Sequence, residues 1–220
     1  MKYKISALLI ICFITITLHA ENEKDKLYAS YFTTANNIVL LYESTFGETK
    51  ARYTNHGSFT FAKNESDRFK YYQKLIINDS GIYVNETYQY IKLLLFLKKE
   101  STFTYEKPLL RIPFPLSKGK TWNTSGIEFD GEDTSTVNIS GKVVGYENIK
   151  TIAGNFETIC IETKITGSGS SNNTVTEWYA ENIGLVKAKI IISGGGLMGF
   201  ARDILGYGQI DFELKEIRRE

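Results

Sequence analysis

The chain has 220 residues, with 26 Lys and Arg set against 25 Asp and Glu for a formal net charge of +1. So even a balance leaves no basic face for nucleic acid and no acidic tail, and the length suits one domain with a sizeable core. Only Cys12 and Cys160 are present, which excludes a disulfide-stapled scaffold.

The first twenty residues read as a secretory signal. Lys2 and Lys4 precede an apolar run from Ala7 to Leu18, and His19-Ala20 then leads abruptly into Glu21-Asn22-Glu23-Lys24. The run is shorter than the ~18–20 residues of a spanning helix and ends in a small residue suited to signal peptidase. Cleavage after Ala20 leaves 220 − 20 = 200 residues, and removing two lysines leaves 24 basic against 25 acidic side chains. The expectation is therefore an exported protein, periplasmic or extracellular, whose residues 21–220 form a single antiparallel β domain with no membrane span. Cys12 lacks the small preceding residue of a lipobox and departs with the signal. Cys160 lies in an apolar strand and reads as a buried, inert thiol.

Three prolines, many Tyr, Phe, Thr, Ile and Val, and regular Gly-containing breaks describe an all-β chain. One helical turn or two fit within 24–36. Ile38, Leu40 and Tyr42 alternate with their neighbours, and Phe46-Gly47-Glu48 turns the chain. Strands follow over 49–54 and 58–62, split by Asn55-His56-Gly57. Tyr71–Asn78 and Ile82–Ile91 form a hairpin about Asp79-Ser80-Gly81. Leu93–Leu97 is continuously apolar and short, hence a covered strand.

Val137–Val143 alternates strictly, as do Val186–Ile192 and Ile210–Leu214, so each has one wet face. Ala153-Gly154-Asn155-Phe156 turns the chain into a strand over 156–165, and Gly167–Asn173 is a hairpin loop. Asn182-Ile183-Gly184 punctuates the approach to 185–192. After Gly194-Gly195-Gly196, residues 197–205 form a short helix. Trp122 and Trp178 are each large enough to anchor a core. The fold class expected is all-β, a single curved antiparallel sheet or an open, partly closed barrel with at most one or two short helices.

Each candidate reactive group has a structural reading that wins. Gly119-Lys120-Thr121 resembles the end of a P-loop, but Phe114 stands where the motif needs Gly, and Pro113 and Pro115 cannot donate from the backbone. His56 is the sole histidine after cleavage and sits in a turn; no G-x-S-x-G elbow exists to pair with it. Glu128, Asp130, Glu132 and Asp133 surround Gly131 in an order that fits a solvated hairpin turn better than a calcium loop, although calcium stays open there. Asn-x-Ser/Thr sequons at Asn64, Asn78, Asn85, Asn123, Asn138 and Asn172 reflect abundant Asn and Thr. Tyr71, Tyr72, Tyr83, Tyr88 and Tyr90 suit cross-strand pairs more than an apolar pocket. No catalytic, cofactor-binding or metal-ligating residue is assigned.

Pro113, Pro115-Leu116, Gly119-Lys120, Trp122, Gly154, Phe156, Trp178-Tyr179, Gly184 and Lys187 together resemble the TapB-like family of exported bacterial β proteins of unknown function, over about 108–220. The resemblance implies a lipocalin-like or lipoprotein-carrier-like scaffold and brings no catalytic residues and no cofactor. Three functions then compete. The first is a non-enzymatic envelope protein binding an apolar small molecule, a lipid or an envelope protein on a curved scaffold. The others are a packed interaction module without a cavity, and a hydrolase with an unrecognised acidic site. A cavity discriminates the first from the second.

Overall fold

The computed structural model describes residues 30–32, 36–92, 97–131, 133–167 and 170–220. Alternating apolar and polar residues on successive strands curl the sheet until its edges meet. Twelve antiparallel strands form a closed barrel in which each strand pairs with its sequence neighbours and the first pairs with the last. They are β1 (Ile38–Ser44), β2 (Gly47–Asn55), β3 (Thr60–Glu65), β4 (Phe69–Asn78), β5 (Gly81–Lys92) and β6 (Lys98–Pro113), then β7 (Thr121–Phe129), β8 (Thr134–Thr151), β9 (Gly154–Gly167), β10 (Ser171–Ala180), β11 (Gly184–Ile192) and β12 (Gln209–Arg219). One helix, α1 (Gly196–Leu205), joins β11 to β12 and ends at Gly206, whose left-handed φ of 73° lets its N–H reach the Arg202 carbonyl.

The sheet thus closes further than the open or partly closed form expected from the sequence. Closure takes bends, and register shifts supply them at Leu41/Tyr42 of β1, Lys74/Leu75 of β4, Val143/Gly145 of β8 and Trp178/Tyr179 of β10. Two seams of β6 are irregular: against β5, Val84 faces Leu109 but Glu86 faces Thr104, and against β7 only Thr104↔Phe129 and Tyr105↔Glu128 pair among the described residues. Residues 105–108 bow out there, and Pro108 occupies the bow, where its missing N–H breaks no ladder.

In this up-and-down order the turns alternate between two ends. The lower end holds the connections at 56–59, 79–80, 114–120, 152–153 and 181–183, and the upper end holds α1 and the loop around 130–133. Most of the predicted strand 93–97 and of the predicted turn at 24–36 lies outside the described residues, as does the signal segment. The predicted helix at 197–205 is α1. The segment before α1 runs close against the β9–β10 turn, with Ser193 and Gly195 N–H groups donating to Asn172 and Ser170 carbonyls at 2.9 Å each. A Cβ at Gly194 would lie 2.3 Å from the Ser170 oxygen, so only glycine fits between them.

Candidate functional site in the barrel lumen

The lower end is packed shut. Ile82, Val84, Ile112, Phe114, Leu116, Trp122, Val143, Ile159 and Ile161 form one buried cluster, against which Tyr31 and Phe32 pack from the N-terminal side. The Phe32 ring lies 4.5 Å from Tyr179 and 5.7 Å from Phe114. Trp122, the second residue of β7, lies directly opposite Gly141 of β8. A Cβ at Gly141 would fall 2.1 Å from the indole ring, so glycine is what allows the ring to lie across β8. The Trp122 indole N–H donates to the Arg111 carbonyl at 3.0 Å, tying this floor to β6.

The segment resembling a P-loop serves the same floor. Gly119 N–H donates to Val143 O at 2.8 Å, and Lys120 Nζ donates to Pro115 O at 2.6 Å. Lys120 thus closes its own loop. Pro113 ends β6, and the Phe114–Pro115 peptide is cis. Gly154 and Gly184 open β9 and β11 with φ of 142° and 99°. Phe156 is half-buried against the second, larger cluster that contains Leu40, Tyr42 and Leu214, and Lys187 pairs with Glu213 on the wall at 3.9 Å.

Trp178, expected to anchor a core, packs against the larger buried cluster. It is half-buried and donates its indole N–H to Glu147 Oε1 on β8 at 2.6 Å, reaching across β9. Cys160 is the β9 residue between them, paired with Trp178 on one side and Gly145 on the other. The thiol is 3% exposed, and burial, then Glu147, pushes its pKa up to about 12.

Above the floor the inward-facing side chains of the strands enclose a cavity of about 340 Å³. Its lining is of two kinds. Leu109, Val137, Ile139, Ile165, Val175 and Ile190 make apolar walls, whereas Gln73, Arg111, Glu128, Asn173 and Glu177 bring polarity into the interior. The centre of the polar group is an ion pair between Arg111 of β6 and Glu177 of β10, whose side chains are 19% and 6% exposed. Arg111 also donates to Gln73 Oε1 at 3.0 Å. Burial works against the guanidinium charge, but Glu177 together with Tyr179 and Tyr71 outweighs it and raises Arg111 above its usual range. Such pairs are strongly destabilising to break because the survivor is a buried, uncompensated charge.

Tyrosines ring this pair. Burial raises Tyr53 to about 12 and holds Tyr71, Tyr105 and Tyr179 above a phenol's usual range, so all four present neutral hydroxyls to the lumen. Glu177 adds to the rise at Tyr179 through its charge and through a hydrogen-bonding approach of the two side chains, which still leaves Glu177 Oε2 without a partner at hydrogen-bond distance. Tyr42 donates to Leu185 O at 2.7 Å. The predicted tyrosine cluster therefore divides. Tyr72 and Tyr88 are the expected cross-strand pair, stacked at 5.4 Å, while Tyr71 lines the lumen.

The acidic loop divides too. Glu128 is 5% exposed, lines the cavity and accepts from Ser135 Oγ at 3.0 Å, while Asp130 Oδ1 accepts the Asp133 N–H at 3.0 Å and closes the turn. Glu132 lies outside the described residues. His56 stays in its turn, stacked on Phe59 at 5.1 Å.

Known structures share this chain's length more than its sequence. A candidate exported protein with a YmcC-like fold from Bacteroides fragilis is 12% identical, with a TM-score of 0.46, covering 86% of this chain and 98% of its own. A candidate lipoprotein from Parabacteroides distasonis is also 12% identical, with a TM-score of 0.43 and the same two coverages. The hypothetical lipoprotein YmcC from Escherichia coli is 9% identical, with a TM-score of 0.36, covering 91% of this chain and 94% of its own. No curated protein matches the chain. Residues 114–200 match the DUF3108-like family model, a stretch holding every signature residue named above except Pro113.

Proposed function

We propose that this is an exported envelope protein that acts by binding, holding an amphipathic small molecule or lipid inside its barrel. The observation that carries the reading is the lumen itself. A cavity of about 340 Å³ falls within the ~300–1,000 Å³ of small-molecule sites, and its mix of apolar walls with a few fixed polar groups is what such sites use. A packed interaction module has no need of that space, and no need to place an ion pair beside it. Export is supported by the charged start, short apolar run and Ala20 at the N-terminus. The hydrolase alternative is less well supported, because Glu177 is already committed to Arg111.

The test is titration of the purified protein with N-phenyl-1-naphthylamine, which fluoresces in apolar surroundings. Saturable enhancement is expected, and it should be lost in Val175→Trp, which fills the lumen, while circular dichroism keeps its β signature. Absence of saturable binding, or equal binding by a folded Val175→Trp variant, overturns the proposal.

A further inference from the structure

The lumen carries an unmet demand that is specific in sign. Among the described residues, two buried side-chain oxygens have no hydrogen-bond partner, Glu177 Oε2 and Asn173 Oδ1. Both residues line the cavity, and both atoms are acceptors. A buried carboxylate oxygen left unbonded is costly, so such an atom beside empty space marks the place for a donor from outside the chain.

The surrounding charges point the same way. The guanidinium of Arg111 is already shared between Glu177 and Gln73, so it is not free to meet an anionic head. Lys99 also lines the cavity but is exposed near the upper end, with its ammonium over the Phe200 ring of α1 at 5.2 Å. Tyr71 and Tyr105 already interact with Thr87 and Tyr179 with Glu177, and a phenol hydroxyl both donates and accepts, so the tyrosines take either kind of head and do not discriminate. Glu177 does. A carboxylate or phosphate head placed there meets a like charge in a desolvated site, whereas an amine or hydroxyl donates to the open oxygen.

We infer that the lumen takes an amphipathic ligand whose polar head is a hydrogen-bond donor, an amine or a hydroxyl, seated on Glu177 Oε2, and that it rejects anionic heads. This rests on the binding function proposed above. The experiment displaces bound N-phenyl-1-naphthylamine with decylamine, decanol and decanoate at neutral pH, on the wild-type protein and on Glu177→Gln. Decylamine and decanol should each displace the probe at concentrations at least about tenfold below decanoate. Decylamine ahead of decanol identifies a cationic head, and decanol level with or ahead of it a neutral one. In Glu177→Gln, whose amide oxygen carries no charge, decanoate should gain and the gap should close. Decanoate competing as well as or better than the other two in wild type overturns the inference, as does a gap of unchanged size in a folded Glu177→Gln. If the naphthylamine does not bind at all, the lumenal binding function itself fails, a result distinct from equal displacement by the three decyl probes.

Discussion

The two tryptophans sit in opposite regions of one barrel, and the contrast shows what each region is for. Trp122 lies on the inner floor, 8% exposed, with its ring across Gly141 and its N–H on the Arg111 carbonyl. Trp178 lies on the wall over Cys160, half-buried, with its N–H on Glu147. The floor ring closes the lower end and fixes β6, which carries the polar centre of the lumen. The wall ring covers Cys160 and packs, half-buried, against the larger cluster. Equal side chains therefore have unequal consequences, decided by which side of the sheet they occupy.

The largest expected effect is at the floor. Trp122→Ala removes a buried aromatic and leaves a hole, which should cost about 3–5 kcal/mol in urea or thermal unfolding. A loss under about 1 kcal/mol would remove the floor from its structural role. Gly141→Ala should cost about 1–3 kcal/mol by forcing the ring aside. The two are coupled through one contact, so Gly141→Ala should cost much less in the Trp122→Ala background. Additive losses would show that the ring is not what Gly141 makes room for.

Smaller effects belong to the wall. Trp178→Ala should cost about 1–2 kcal/mol and should speed thiol labelling of Cys160, which in the native wild type should be far slower than in urea. Native labelling at the unfolded rate would contradict the cover described here. A last effect concerns pH. The folded state raises the Cys160 thiol to about 12, above the ~8.5 of a free cysteine, so this group stabilises fully below the unfolded value and the contribution is lost as pH climbs toward 12. The thermal midpoint should fall over that range, less steeply in Cys160→Ala. Tyr53, also raised to about 12, keeps part of the decline in both proteins.

Where one face was apolar and the other wet, the sequence announced its strands. Val137–Val143, Val186–Ile192 and Ile210–Leu214 are all strand, and the Asp79-Ser80-Gly81 hairpin formed as its turn residues indicate. Alternation failed where the lumen is mixed. On β6, Lys99, Ser101, Phe103 and Tyr105 all line the cavity, so polar and apolar residues share one face and Pro108 adds a false break. It failed again beyond the Val143/Gly145 shift of β8, after which Val144 and Tyr146 point outward at 44% and 54% exposure. The site was hidden for a related reason. Arg111 and Glu177 belong to strands that only the closed barrel brings together. One local signal existed, a lone arginine among Leu109, Leu110 and Ile112 where an apolar strand has no use for a charge, since a buried guanidinium calls for a carboxylate opposite it.

The ladder from Ile38↔Arg219 to Ser44↔Phe212 has a consequence for how the protein is made. Until β12 arrives, β1 has a partner on one side only, and the growing sheet exposes two open rows of N–H and C=O groups to other chains. Joining the rows brings together segments far apart in sequence, a slow kind of event for β topologies. During that delay the unfinished sheet is at its most vulnerable to pairing with other copies. Its last act of folding is also its protection, because joining β1 to β12 removes the two open rows at the ends of the sheet. Among the described residues that leaves only the short β6–β7 seam, where Thr104↔Phe129 and Tyr105↔Glu128 pair.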